Sequence, residues 1–317
     1  MQYELGENIT PVYKILAPLG EGTFGRVLEC WDRKFRSYCA IKIIRNVQKY
    51  RDAAKIEIDV LKTVQKNDPT GKFNCIKMQT WFDYRGHICM VFEKCGLSLF
   101  DFLRKNHYRP FSVGLVQQYA RQLLHAVAFL HTLKLVHTDL KPENILLDTN
   151  GCVRLADFGM SKKLVGNERA YTVCGTAQYM SPEVFNHNGC RFEADFWALG
   201  ILIYELCSGG TPFGADKDSR QELYRRLVRH RNDTMTFPTW FDIETASIVR
   251  ALLHEDETKR LGHVGGLSAV LTHPWFAPAS HVDVLSGIQV PALQPRRRNI
   301  VYDLKLRESI DLGDIPW

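Results

Sequence analysis

The chain has 317 residues, 45% apolar and 24% charged, which is enough to bury a large core and suits one two-lobed unit or two ordinary domains rather than a disordered chain. Its net charge of +6 is mild for this size, and with no nucleic-acid motif and no interleaving of aromatic with basic residues, direct nucleic-acid binding is not expected. The longest apolar stretch, Phe196 to Leu206, is broken by Gly200 and Glu205 and is too short for a ~30 Å bilayer, and Met1 to Glu4 lacks signal-peptide features, so a soluble intracellular protein of nucleus or cytoplasm is expected.

Residues 12 to 93 read as mostly strand with one helix. Val12 to Leu16 leads into a glycine loop, and Arg26 to Trp31 and Tyr38 to Ile44 alternate like paired strands. Asp52 to Gln65 carries apolar residues at helical spacing, which predicts a helix with Ile56, Val60, Leu61 and Val64 on one face. Asn67 to Gly71 is a loop by composition. Two further strands are expected around Trp81 and over Ile88 to Phe92, joined by a tight turn at Gly86-His87. From Ser98 the pattern becomes helical: Val113 to Leu133 is amphipathic, and Ala194 to Ser208 is apolar all round, as a buried central helix would be. Ile145 to Leu147 and Val153 to Leu155 flank Asp148-Thr149-Asn150-Gly151 and predict a hairpin that places Asp157 just past a strand end. From about Ala277 periodicity fades and Pro291, Pro295 and Arg296-Arg297-Arg298 appear, as in a surface tail. Nine scattered cysteines without a Cys-x-x-Cys pair point to reduced thiols rather than zinc or disulfides.

Three segments carry chemistry. Gly20-Glu21-Gly22-Thr23-Phe24-Gly25-Arg26-Val27 has the form G-x-G-x-x-G-x-V, in which glycines let backbone amides approach phosphates. Dinucleotide-binding folds open with a similar run, but there a helix follows; here a strand-like segment leads to Ala40-Ile41-Lys42. His137-Thr138-Asp139-Leu140-Lys141-Pro142-Glu143-Asn144 and then Asp157-Phe158-Gly159 place carboxylates, an amide and an ammonium at the spacing phosphoryl transfer requires.

With these motifs the chain resembles the eukaryotic protein kinase family. The resemblance implies an α+β, bilobal fold: a small antiparallel sheet lobe with one helix over residues 1–94, a larger mainly helical lobe over 95–276, and a tail over 277–317. It implies Mg²⁺ and ATP bound between the lobes, with Asp139 accepting the proton of a substrate hydroxyl, Lys42 and Lys141 offsetting phosphate charge, and Asn144 and Asp157 as the Mg²⁺ ligands. Lys42 is expected to pair with Glu57, whose rival is Asp59. The resemblance further implies that Leu19, Gly20, Glu21, Gly22, Thr23, Phe24 and Gly25 form the phosphate lid and that Val27, Ala40 and Leu146 enclose the adenine. Phe92 narrows that pocket, and the backbones of Glu93 and Cys95 would hydrogen-bond the base. Cys95 as a reactive thiol is the lesser reading of that residue. Leu61, Met78, His137 and Phe158 match the apolar column that links kinase lobes, and Glu183 with Arg260 matches a buried ion pair. Asp195 would accept catalytic-loop amides.

Two relatives divide the chain. Tyr38 to Val47, Ile56 to Leu61, His87 to Glu93 and His137-Thr138-Asp139 are similar to the LAMMER-type, SR-protein-directed kinases, although the EHLAMMER helix of that family is missing. Thr172 to Glu183 and Leu199 to Leu206 are similar to AGC-group kinases. Thr138 stands where most kinases have the Arg that receives an activation-loop phosphate; Lys162 is a partial substitute, and Thr172 matches the AGC phosphosite. Thr176, placed near Asp139 and Lys141, is associated with Ser/Thr substrates. Glu143 and Glu205 fall where an Arg two residues before the acceptor would be held, so protein substrates basic around Ser/Thr are expected. The function implied is an ATP-dependent Ser/Thr protein kinase; the alternatives are a dual-specificity LAMMER-like kinase acting on SR-type proteins, or a nucleotide-binding pseudokinase scaffold.

Overall fold

A computed structural model describes residues 4–166, 168–171, 175–214, 218–229 and 235–277. The fold begins with a five-stranded antiparallel sheet in the order β1-β2-β3-β5-β4: β1 Tyr13–Glu21, β2 Gly25–Asp32, β3 Ser37–Ile44, β4 Met78–Tyr84 and β5 His87–Glu93. Alternation along the strands sorts side chains to two faces. Cys39, Ile41 and Ile43 of β3 enter a small outer cluster with Leu28, Cys30, Cys89 and Val91, while Ile44 on the other face joins the main core. The same period turns Ala40 and Lys42 inward, which is why an ammonium sits on the concave side of an otherwise apolar strand. β5 is buried on both faces and reads as a continuous apolar run. The β4–β5 turn is made by Arg85 and Gly86, at φ +51° and +79°.

One helix, α1 (Gln48–Asn67), crosses the inner face of this sheet. Its inward stripe is Ala54, Glu57, Ile58, Leu61 and Val64. This corrects the expected face: Ile56 is 62% exposed. Positions two apart on a helix differ by about 200°, so once 54 and 58 face the core, 56 faces solvent.

The remaining elements are helical with short strands: α2 Leu99–Lys105, α3 Val113–Thr132, β6 Leu135–Val136, β7 Ile145–Leu147, β8 Val153–Leu155, β9 Lys162–Lys163, α4 Pro182–Phe185, α5 Glu193–Ser208, α6 Arg220–Arg229, α7 Ile243–Leu252 and α8 Gly266–Leu271. Ser98 caps α2 by accepting the Asp101 amide at 3.0 Å, and Asp242 caps α7 through the Thr245 amide. α5 is the buried axis: nearly every residue from Ala194 to Cys207 is inaccessible, and Gly200 lets α7 approach, since a Cβ there would lie 2.8 Å from Leu253 and 2.9 Å from Leu252. The antiparallel pairs β7–β8 and β6–β9 hold the two loops that carry Asp139 and Asp157. Together these elements form a two-lobed fold, an antiparallel sheet lobe followed by a helical lobe. Among the described residues, no helix is long and apolar enough to cross a membrane.

Candidate active site

The loop from β6 to β7 is anchored from below. Asp195, near the start of α5 and fully buried, accepts the amides of His137 and Thr138 at 3.0 and 2.9 Å and contacts the His131 ring at 2.8 Å. Burial alone would raise its pKa, but the His131 contact and the donated amides hold it below the ordinary aspartate value. Those two amide bonds explain a rare conformation: Thr138, a β-branched residue, sits at φ +68°, secured also by its hydroxyl donating to the Met160 carbonyl at 2.9 Å. The His137 ring is committed to packing. Nε2 donates to the Ala156 carbonyl at 3.1 Å, Nδ1 accepts the Asp139 amide at 3.3 Å, and the ring meets Phe158 edge-on at 5.4 Å.

This turn delivers Asp139 into the cleft. Oδ1 accepts the amide and the hydroxyl of Thr176, both at 3.0 Å; Oδ2 accepts Asn144 Nδ2 at 2.9 Å and lies 3.0 Å from Lys141 Nζ. Lys141 also donates to Thr176 Oγ1 at 2.7 Å. A carboxylate held in this way is fixed in orientation within the cleft, as a proton acceptor must be. Gly175, at φ +100°, is required here because a Cβ would lie 2.6 Å from the Thr138 carbonyl.

Across the cleft Lys42 Nζ bonds both oxygens of Glu57, at 2.7 and 2.9 Å, and Asp157 Oδ1 at 2.9 Å. Asp59 is exposed and takes no part. Burial would discharge Lys42, but Glu57 and Asp157 hold its pKa well above the ordinary lysine value. Burial likewise pushes Asp157 up, and Lys42 more than reverses it, leaving the carboxyl below its usual range. Asp157 occupies the left-handed region at φ +59°. Asn144 spends Nδ2 on both the carbonyl and the carboxylate of Asp139, at 2.8 and 2.9 Å, which fixes its amide with Oδ1 directed away from Asp139. Asn144 Oδ1 and the second oxygen of Asp157 are hard donors of the type Mg²⁺ takes, so this pair fits the ion. Among the described residues no group of three or more His, Cys, Asp and Glu forms a metal cluster.

A cavity of about 280 Å³ joins these groups. Thr23, Phe24, Lys42, Glu57, Asp139, Lys141, Asp157, Gly159, Gly175 and Thr176 line it, together with Ile44, Tyr50, Ala53, Ala54 and Met160, which lie outside the motifs. Tyr50, Ala53 and Ala54 share the first turns of α1 at helical spacing, a signal that could have found them. Phe24 closes one side edge-on to Tyr50 at 5.3 Å. Within the loop, Gly22 donates to the Gly25 carbonyl at 2.9 Å, and a Cβ on Gly25 would collide with the Ile43 carbonyl; at Gly20 and Gly22 a Cβ would meet open space. Leu19 and Glu21 belong to β1 on the same rim, both exposed.

Residues expected around the base do not line this cavity. Val27 faces Lys42 across β2–β3, Ala40 pairs with Phe92, Leu146 lies on β7 bridged to Ser98, and Glu93 ends β5. The Cys95 carbonyl accepts Lys94 Nζ at 2.7 Å, and burial pushes the Cys95 thiol up to about 12, which leaves it inert. Cys30, Cys39, Cys75, Cys89, Cys95, Cys152 and Cys207 carry free thiols. Leu61, Met78 and Phe158 are buried in one core cluster. Arg260 and Glu183 form a bidentate pair at 2.8 and 2.9 Å. Thr172 lies outside the described residues, as does the Arg296-Arg297-Arg298 tail.

Residues 13–276 match the protein kinase domain family. Serine/threonine-protein kinase AFC3 of Arabidopsis thaliana is 48% identical over 236 residues, covering 67% of this chain and 58% of its own. Serine/threonine-protein kinase Doa of Drosophila melanogaster is 44% identical, covering 70% and 28%, and dual specificity protein kinase CLK2 of Homo sapiens is 41% identical, covering 70% and 48%. The chain thus spans about half the length, or less, of these relatives. The crystal structure of the PF14_0431 kinase domain superposes with a TM-score of 0.72 at 24% identity, covering 87% of this chain and 98% of that one, which establishes the fold.

Proposed function

Because this chain belongs to the protein kinase family, we propose that it transfers the γ-phosphoryl group of Mg·ATP to Ser or Thr of protein substrates. The observation that carries the reading is the convergence of Asp139, Lys141, Asn144 and Thr176 within 3.0 Å contacts of one another, facing Lys42, Glu57 and Asp157 across one cavity. In this reading the lobes meet near residues 94–95. A substrate hydroxyl displaces the Thr176 hydroxyl from Asp139 Oδ1, and Asp139 accepts its proton as the oxygen attacks. Lys141 and Lys42 stabilise charge spreading over the transferred group, and Glu57 keeps Lys42 in reach. Mg²⁺ held by Asn144 and Asp157 would neutralise the phosphates. The lid from Leu19 to Gly25 covers them and excludes water.

Contact of Thr176 with Asp139 favours Ser/Thr acceptors, and the AGC-like wording of Thr172 to Glu183 belongs to the same proposal. The dual specificity kinases among the relatives support Tyr as a second acceptor. For substrate choice we assign Glu143, exposed beside the catalytic loop, and Glu205, recessed beneath Tyr179 whose hydroxyl it accepts, to an arginine two positions before the acceptor.

A degenerate Ser/Thr/Tyr peptide array with Mg·ATP, comparing wild type with Asp139→Ala, tests this. Loss of ~10²–10⁴-fold in the variant and selection of Arg before Ser/Thr are expected. Equal transfer by both proteins would sink the role of Asp139, and wild type that binds ATP without transferring phosphate would favour a scaffold.

A further inference from the structure

The segment between Asp157-Phe158-Gly159 and Glu183 must be held if Thr176 is to reach Asp139, yet Thr138 spends its hydroxyl on Met160 and offers no cation to hold it. Arg169 makes a different attachment. Its Nη1 and Nη2 bond the two oxygens of Glu257 at 2.7 and 2.8 Å, Nη2 also donates to the Gly189 carbonyl at 2.8 Å, and Nε donates to the Asn188 carbonyl at 2.9 Å. The guanidinium fork thus ties three chain segments, with both ions about one quarter exposed. Next to it Ala170 and Cys190 exchange both backbone bonds at 2.9 Å, a bridge between the two limbs of the loop that carries Gly175 and Thr176. Gly189 fits at φ +73° because a Cβ there would crowd the Arg169 Cβ and the Tyr171 ring at 3.0 Å. Three residues beyond Glu257, Arg260 grips Glu183 and the Glu193 carbonyl. Two arginine forks therefore fasten the two limbs of this loop, Arg169 on one and Glu183 on the other, to one short stretch, residues 257–260.

We propose that Arg169 and Glu257 are positioning residues for protein substrate: a charge-assisted clasp that sets the loop bearing Thr176 without a phosphate, acting on the peptide side of the cleft and leaving the nucleotide side untouched. The inference rests on the kinase reading above. A guanidinium suits the role because it satisfies carboxylate and carbonyls in one plane, which an ammonium cannot do.

The test uses Arg169→Met, Arg169→Lys and Glu257→Gln with a peptide selected by the array. For Arg169→Met, kcat/KM for peptide should fall about tenfold while KM for ATP stays within about twofold, with Arg169→Lys and Glu257→Gln intermediate. Hydrogen exchange of the Ala170 and Cys190 amides should rise about tenfold or more in Arg169→Met, with core amides of α5 unchanged. Unchanged exchange at those two amides, or equal losses toward peptide and ATP, would overturn the clasp. Wild type lacking transfer would instead overturn the kinase reading, and the exchange measurement alone would then decide the clasp.

Discussion

Arg260→Met removes one half of the most buried ion pair described here. The Arg260 side chain is 0% exposed and that of Glu183 7%, and the pair is bidentate at 2.8 and 2.9 Å. Methionine fills most of the volume and keeps contact with Trp197, over whose ring the guanidinium now lies at 5.1 Å. What is lost is the counter-charge of Glu183 and the donors to the carbonyls of His254 and Glu193. Leaving a buried carboxylate unpaired costs ~3–5 kcal/mol. In a domain of this size each kcal/mol corresponds to ~2–4 °C, so Tm should fall by about 10 °C. The pH dependence supplies a second check. Burial raises the Glu183 pKa, but Arg260 more than offsets it, so the folded-state value lies below the unfolded one. Stability from a depressed carboxylate is present above the unfolded pKa, about 4.3, and is lost as pH falls through the folded value. Urea unfolding of wild type and variant should therefore differ fully at pH 7 and converge in acid. A difference under about 1 kcal/mol at pH 7, or one that grows in acid, would refute the reasoning.

Lys42→Met should lower kcat by about 10²-fold or more while the protein still folds, read by initial rates and near-UV circular dichroism; undiminished turnover would remove Lys42 from the proposed machinery. Gly25→Ala forces a methyl against the Ile43 carbonyl, so KM for ATP should rise and Tm should fall by several degrees, whereas Gly22→Ala, facing open space, should leave Tm within about a degree. Cys95, its thiol pushed up to about 12 by burial, should resist iodoacetamide at pH 8 in the native protein and react after urea unfolding, as peptide mass mapping would show; rapid native alkylation contradicts the assigned burial.

Period and punctuation made the sheet lobe legible. Alternation from Tyr38 to Ile44 fixed which face of β3 Lys42 takes, and the Asn150-Gly151 turn located the hairpin before Asp157. Ile56 reads as core by its apolarity but not by its phase: the stripe through Ala54, Ile58 and Leu61 admits Glu57 and excludes Ile56, and only the partner Lys42 makes a carboxylate acceptable there. The two-residue strands β6 and β9 carry too little pattern to be seen. The left-handed conformation of Thr138 is hidden, since a β-branched residue argues against a positive φ, and that of Asp157 is only weakly signalled by its residue type; the compensating bonds come from Asp195 and Lys42, far along the chain. Arg169 and Glu257 are 88 positions apart, each an ordinary surface charge until folding joins them.

Leu61, Met78 and Phe158 belong to one apolar cluster that also holds the helices α3, α5 and α7. The apolar layer between α1 and the sheet is therefore continuous with the core of the helical lobe, and only the small outer cluster around Leu28 and Ile41 stands apart from it. Cooperativity follows: loss of either half exposes the interior of the other, so unfolding should proceed as a single transition, and excision of the first lobe should yield a chain that cannot hold its shape.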